Sequence, residues 1–201
     1  MKFTRPLDRF QPYLGCDPEF FFKNGEKTIG SEKLIDLKTG LPVPDSTVGW
    51  GGAGEPSKFI VDGVQAEINP RADTCRARLA NEMARCFRTL KTQMNKHKGV
   101  TADFTPLAEV DKDELEQLDK SSQIFGCAPS KSAAGESGIA ATSVDPSTYK
   151  YRSAGGHIHI GRLDEARFGN AYKGMCVSID DPERLVPIFD ILVGNTCVLM
   201  D

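Results

Sequence analysis

The sequence lacks the features that would commit it to a membrane, a secretory route or a nucleic acid. No apolar run approaches the roughly 20 residues that a membrane-spanning helix needs. The N-terminus has no apolar stretch typical of a signal peptide. A formal net charge of −3 and the lack of a dense basic stripe argue against a nucleic-acid surface. We therefore expect a cytoplasmic protein without membrane or nucleic-acid partners.

Paired cysteines are also missing, and histidine is scarce. None of the 6 cysteines forms a C-x-x-C pair, which favours reduced, buried thiols over disulfides or a zinc knuckle. The chain has 3 histidines. Two of them, His157 and His159, lie in the short segment RSAGGHIHIG. This concentration in one glycine-rich stretch favours a functional role over a pair of half-buried structural histidines.

The remaining sequence predicts an α+β fold. Strands are expected at 14–22, 59–70, 101–110 and 148–161, the last with a kink at its glycine pair, and helices at 73–97, 111–122 and 180–201. The Asn24-Gly25 pair is typical of a hairpin turn after the first of these strands. The 28–57 segment is rich in proline and glycine, which predicts a long mobile loop or lid. Few connections fit βαβ units, so we expect an antiparallel sheet with helices packed on one face.

The clearest helix has one apolar face. Its apolar residues recur at helical spacing: Leu79, Met83, Cys86, Phe87, Leu90 and Met94. Charged residues occupy the other positions, so this helix is expected to cover the apolar face of the sheet.

Three predicted strands carry polar residues at a spacing of two. These residues are Asp17 and Glu19, then Gln65, Glu67 and Asn69, then His157 and His159. Side chains two apart on a strand point to the same side, so each set faces one site. Burying the Glu19 carboxylate among phenylalanines without a partner would be costly. The pattern therefore predicts a metal-bearing cleft lined by these three sets of residues.

The donor types indicate which ion and ligand this cleft would take. Several carboxylates with one or two imidazoles favour Mg²⁺ or Mn²⁺, while Zn²⁺ remains an alternative. Gly155 and Gly156 would let a ligand approach the backbone closely. Arg152 is a candidate partner for a phosphate or carboxylate, with a surface charge as the other interpretation.

The segments GCDPEFFF, VDGVQAEINP, FGCAP and RSAGGHIHIG, with a long helix after the second, resemble the type-2 carboxylate–amine ligases. This family, also called the amidoligases, occurs mostly in tailed phages and is distantly related to glutamine synthetase and glutamate–cysteine ligase. The resemblance runs from about residue 15 to residue 201. It implies a glutamine-synthetase-like antiparallel sheet with helices on one face and the active site on the open face.

The resemblance also implies a reaction and a set of roles. ATP would phosphorylate a substrate carboxylate, and an amine would attack the acyl phosphate to form an amide. Asp17, Glu19, Glu67 and His157 would hold Mg²⁺ or Mn²⁺. Nucleotide or substrate would contact Arg152, Gly155, Gly156, His159, Gln65 and Asn69.

The chain ends before the arginine-bearing and glutamate-bearing strands that the family carries. We therefore expect residues 1–201 to be a single ligase-like domain that lacks the C-terminal part of the family fold. Its partners would be ATP, an acid and an amine, with a homo-oligomer or a complementing chain completing the site. The apolar segment 185–200 and an unpaired sheet edge favour such an association.

Two other functions fit the same residues. The first is a mononuclear H-x-H metal hydrolase or oxygenase, with His157, His159 and either Asp164 or Glu67 as ligands. The second is a truncated ligase-like fold that binds or assembles without catalysing a reaction.

Overall fold

Short strands make up most of the described chain. A computed structural model describes residues 13–46, 52–53, 56–125, 145–146 and 148–161. The strands are β1 Tyr13–Cys16, β2 Glu19–Asn24, β3 Lys27–Ile29, β4 Leu41–Pro42, β5 Gly52–Ala53, β6 Lys58–Asp62, β7 Gln65–Asn69, β8 Ala72–Asp73, β9 Val100–Asp103, β10 Leu107–Glu109, β11 Tyr151–Ser153 and β12 Ile158–Gly161. The helices are α1 Arg76–Met94, α2 Lys112–Gln117 and a short 3₁₀ helix, Ser31–Lys33.

These strands form antiparallel sheets. The largest sheet has the order β3-β2-β7-β6-β4, and β9 also pairs with β2. A second sheet has the order β12-β1-β8-β5, and β10 pairs with β11. Every strand pair whose register is described is antiparallel. The predicted α+β class with antiparallel pairing is therefore confirmed.

The prediction of continuous strands at 14–22, 59–70 and 101–110 was wrong, because each of them breaks into two; at 148–161, where a kink at the glycine pair was predicted, the strand breaks at that pair. Segment 14–22 is interrupted at Pro18, 59–70 at Gly63, 101–110 before Leu107 and 148–161 at the glycine pair. Proline has no N–H to donate to a strand ladder, and Gly63 has a positive φ of 65° that suits a tight turn. Alternation of polar and apolar residues continues through such turns, so it does not show where a strand ends.

Hairpins give the largest sheet its register. The predicted turn at Asn24-Gly25 is confirmed, because Asn24 pairs with Lys27 across β2 and β3. A second two-residue turn joins β6 to β7, where Asp62 pairs with Gln65. This turn places Asp62 opposite the strand that carries Glu67.

The main core lies between α1 and one face of the largest sheet. Its buried residues are Phe20, Phe22, Ile35, Val43, Phe59, Ala66, Ile68, Cys86 and Leu90. The predicted helix is confirmed in the range Arg76–Met94. Phe87, predicted on its apolar face, is instead 44% exposed. Glu82 is buried, with its Oε2 2.9 Å from the Ser46 hydroxyl and 3.0 Å from the Ser57 hydroxyl.

The described part of the predicted lid is anchored in the fold. Ser31, Ile35, Val43, Ser46 and Ser57 are all buried. Their burial anchors both ends of the 28–57 segment in the structure. Its tip at residues 47–51, like Asp164 and the segment 185–200, lies outside the described residues.

The chain divides into two compact units, and the described residues other than Gly161 all belong to one of them. Among the described helices, none combines the length and apolar character needed to cross a membrane.

Candidate metal centre

One carboxylate and two imidazoles meet where β1, β2 and β12 approach one another. Asp17 lies in the break between β1 and β2 and is 7% exposed. Its Oδ1 is 3.2 Å from Nδ1 of His157, and its Oδ2 is 2.7 Å from Nε2 of His159. One ligand atom from each residue lies within 4.8 Å of the other two, which is the spacing of a potential metal site. We call Asp17, His157 and His159 the histidine trio.

Three carboxylates form a second group on the largest sheet. Glu19 is the first residue of β2 and pairs directly with Glu67 of β7. Asp62 ends β6, the strand on the other side of β7. Ligand oxygens of these three residues also lie within 4.8 Å of one another. We call Glu19, Asp62 and Glu67 the acidic trio.

Hydrogen bonds fix two of these carboxylates. The Gly155 N–H donates to Glu19 Oε2 at 2.8 Å, and Asn69 Nδ2 donates to Glu67 Oε1 at 2.8 Å. Partners of this kind orient metal ligands and are as much a part of such sites as the ligands themselves. The other oxygen of each carboxylate stays available to a cation.

Electrostatic coupling connects the two trios. Burial, followed by the charges of Asp17, Asp62 and Glu19, raises the pKa of Glu67 to about 7, while His157 acts in the opposite direction. Burial and the charges of Glu19 and Asp17 likewise raise the pKa of Asp62. Concentrated negative charge therefore penalises ionisation here, and a bound cation would relieve the penalty.

The donor set fits divalent metals. Carboxylate oxygens are preferred by Mg²⁺ and Mn²⁺, and the acidic trio offers only such ligands. The histidine trio is a mixed nitrogen and oxygen set, which also suits Zn²⁺ or Fe²⁺.

The structure brings together most of the residues predicted for the site. Asp17, Glu19, Glu67, His157 and His159 all belong to the two trios. His159, predicted beside nucleotide or substrate, is within metal-ligand reach together with His157. Asp17 and Glu19 share a site although Pro18 separates their strands.

The two glycines bring the histidine segment close to the Asp17-Pro18 turn. A Cβ added at Gly156 would lie 3.0 Å from Pro18 Cα, so a side chain there would force the two segments apart. The close approach allows main-chain hydrogen bonds from Asp17 N to His157 O (3.3 Å) and from Glu19 N to Gly155 O (3.0 Å). Gly155 has open space around its Cβ position, and its contribution to the site is its N–H.

Gln65 and Asn69 share the polar face of β7 with Glu67. Asn69 contacts Glu67 itself, and Gln65 is buried. Asn69 therefore orients a carboxylate of the acidic trio, while Gln65 shares its face of β7.

Arg152 has a different environment from the one its sequence position suggested. It is 2% exposed, and its guanidinium donates to the main-chain carbonyls of Tyr149, Tyr151, Gln123 and Pro146. It also stacks over the Phe125 ring at 5.1 Å. Among its contacts in the described residues, none involves either trio, so Arg152 joins loops together rather than facing the carboxylates.

Asp62 was not predicted as a site residue from the sequence. A signal was present in Gly63, because glycine is favoured at the first central position of a two-residue hairpin turn. A hairpin at this point puts Asp62 directly opposite Gln65, on the same face as Glu67. Treating 59–70 as a single strand concealed this neighbour.

Comparison of the chain with protein-family models, curated proteins and solved structures gave no match.

Proposed function

We propose that this chain is an ATP-dependent carboxylate–amine ligase with a glutamine-synthetase-like fold. The observation that carries the proposal is the pair of adjacent trios, which place four carboxylates and two imidazoles at one site. They lie on or beside the face of the largest sheet opposite its α1-packed side. This arrangement agrees with the active-site position implied by the resemblance to the amidoligases.

Two divalent ions, Mg²⁺ or Mn²⁺, would neutralise the phosphates of ATP and the charge that develops on the transferred group. The acidic trio would hold one ion and the histidine trio the other. Without bound ions, these carboxylates would repel a nucleotide triphosphate.

The proposed reaction has two steps. A carboxylate oxygen of the acid substrate attacks the γ-phosphorus of ATP, and ADP leaves. The amine nitrogen then attacks the acyl carbon, loses a proton and displaces inorganic phosphate. The residues of the site orient the acid and the phosphates for in-line transfer.

Trapping of the acyl phosphate tests this proposal. The chain is incubated with ATP, Mg²⁺, hydroxylamine and a panel of carboxylic acids, and both ADP and hydroxamate are measured. We expect an acid-dependent signal that Glu67→Gln reduces by about 10- to 100-fold, because a metal ligand is lost. Glu109→Gln is the matched control, since Glu109 is exposed and pairs with Lys150 at 2.7 Å. ATP binding without ADP release would favour a non-catalytic ligase-like subunit.

The histidine trio supports a second candidate, an H-x-H metal hydrolase or oxygenase. Two imidazoles and one carboxylate are the ligand set of non-haem Fe²⁺ oxygenases and of several zinc hydrolases. Asp17 would be the third ligand here, in place of the Asp164 or Glu67 suggested by sequence. Tight binding of Fe²⁺ or Zn²⁺ with no metal-dependent ATP binding would favour this candidate over the ligase.

A further inference from the structure

The strand that carries Glu67 also presents a buried oxygen without a hydrogen-bond partner. Gln65 is 5% exposed, and its Oε1 accepts no hydrogen bond within the described part of the chain. An unsatisfied buried amide oxygen costs free energy, and each such group in a folded protein requires an explanation. A donor or a cation that reaches Oε1 would satisfy it.

The register of the hairpin puts Gln65 beside the acidic trio. Gln65 pairs directly with Asp62 across β6 and β7 and lies two residues before Glu67 on the same strand. Paired residues and residues two apart share one face of a sheet. Ala66 and Ile68, on the other face, belong to the core against α1. Gln65 therefore lies on the same face of the sheet as Asp62 and Glu67.

The charge of the trio favours a neutral additional ligand. Three carboxylates already exceed the charge of one divalent ion, and their ligand oxygens lie within 4.8 Å of one another. An amide oxygen adds a hard ligand without adding charge, and carboxamide oxygens are common ligands of such ions. A role as a metal ligand differs from the nucleotide or substrate contact that the sequence suggested for Gln65.

We propose that Gln65 Oε1 is a further, neutral oxygen ligand of a divalent cation bound by the acidic trio. This inference rests on cation binding by the trio, which is one part of the proposed function, and does not depend on the ligase reaction. The ligand set would then be three carboxylates and one carboxamide, all carried by the β2, β6 and β7 strands.

Calorimetric titration with Mn²⁺ tests the proposal on the full chain. We expect Gln65→Met, which keeps the side-chain length and removes the oxygen, to weaken Mn²⁺ binding by about tenfold. Gln65→Glu should recover only part of the lost affinity, because it returns an oxygen to the same position but adds a fourth negative charge. Gln117→Met is the control, since Gln117 is exposed at the end of α2. Unchanged Mn²⁺ affinity in a folded Gln65→Met variant would overturn the proposal.

Urea unfolding in EDTA separates a ligand from a structural hydrogen-bonding residue. If Gln65 Oε1 is a metal ligand, Gln65→Met should be at least as stable as the wild type without metal, because an unsatisfied oxygen has been removed. A clear loss of stability in EDTA would show a structural role and contradict the inference.

The same data distinguish this inference from the proposed reaction. Mn²⁺ binding that depends on Gln65, with no hydroxamate formed, would support the ligand assignment and reject the ligase. A wild-type chain that binds no Mn²⁺ would overturn both.

Discussion

Successive residues on each strand of the largest sheet point to opposite faces, and these two faces have different environments. On one face, Phe20, Phe22, Ala66 and Ile68 are fully buried against the α1 side. On the other, Glu19 and Glu67 are partly buried and face Asp62 across a few ångströms. Burial of apolar area accounts for the first face, at roughly 25 cal/mol per Å². Phe21 is also buried on the second face, in a small cluster with Ala108 and Ala154, but no comparable gain accounts for the partly buried carboxylates there.

The polar face is costly for the folded state. Clustered carboxylates with partial burial disfavour their own ionisation, as the pKa of about 7 for Glu67 shows. A protein under selection for stability alone would place apolar or oppositely charged residues there. The apolar face therefore provides most of the stability, we propose that the polar face carries the function, and four predictions test this division.

The largest effect is expected on the apolar face. Phe20 is 0% exposed and packs edge-on against Phe22 at 5.0 Å and Phe59 at 6.3 Å between ring centroids. Phe20→Ala should lower the free energy of unfolding by about 3–5 kcal/mol, measured by urea denaturation. Phe87→Ala on the exposed side of α1 should cost much less. Equal losses in the two variants would contradict the assignment of the core.

A smaller effect is expected from a buried charge that belongs to neither face. Arg152→Gln should lower the free energy of unfolding by about 2–3 kcal/mol, because several carbonyls lose a charged donor. Mn²⁺ affinity should not change, since Arg152 contacts neither trio in the described residues. Lys150→Gln is the control, because Lys150 lies two residues before Arg152 and is exposed. A selective loss of cation or ATP binding with normal stability would restore Arg152 as a ligand-binding residue.

Local patterns in the sequence were sufficient for some of these features. Helical spacing predicted α1, the Asn24-Gly25 pair predicted a hairpin, and spacing of two predicted the polar sides of β7 and the histidine segment. Each of these signals depends on residues close together in the chain.

Features that depend on distant residues were not predictable in the same way. The partners of Arg152 include carbonyls of Gln123 and Pro146, and no sequence pattern connects these positions. The sequence also gave no sheet order, so Asp62 was not recognised as a neighbour of Glu19. Spacing along one strand shows which side chains share a face, whereas the turns and strand order decide which faces meet.

Divalent cations should stabilise the chain through the polar face. A ligand present at 100 times its dissociation constant raises the free energy of unfolding by about 2.7 kcal/mol if it binds the folded state alone. We expect Mg²⁺ or Mn²⁺ to raise the melting temperature of the wild type, measured by circular dichroism against EDTA. Asp62→Asn should abolish most of this shift, while Asp113→Asn on exposed α2 should keep it. A cation-induced shift of equal size in both variants would move the binding site away from the acidic trio.

The smallest predicted effect concerns pH, and it has an unusual sign for a carboxylate. Because the pKa of Glu67 rises from its ordinary 4.5 to about 7 in the folded chain, the folded state holds this proton more tightly than the unfolded state. In EDTA, its contribution to stability is therefore full below pH 4.5 and is lost as the pH rises towards 7. Asp62 acts in the same direction, since its pKa is also raised.

The expected loss is about 1–2 kcal/mol, since solvent screens a half-exposed group. The measurement is the difference in unfolding free energy between wild type and Glu67→Gln in EDTA, from pH 4.5 to 7.5, with Glu109→Gln as the control. The free energy of unfolding of Glu67→Gln should fall less with rising pH than that of the wild type. The substitution removes the titrating group and its repulsion with Asp17, Asp62 and Glu19. With saturating Mg²⁺, the free energy of unfolding of the wild type should instead rise with pH, because the cation binds the ionised carboxylate. The opposite result would be a wild-type free energy of unfolding that rises with pH in EDTA relative to that of Glu67→Gln. It would show that a positively charged side chain of the protein already balances the acidic trio. The contrast between the two faces would then fail.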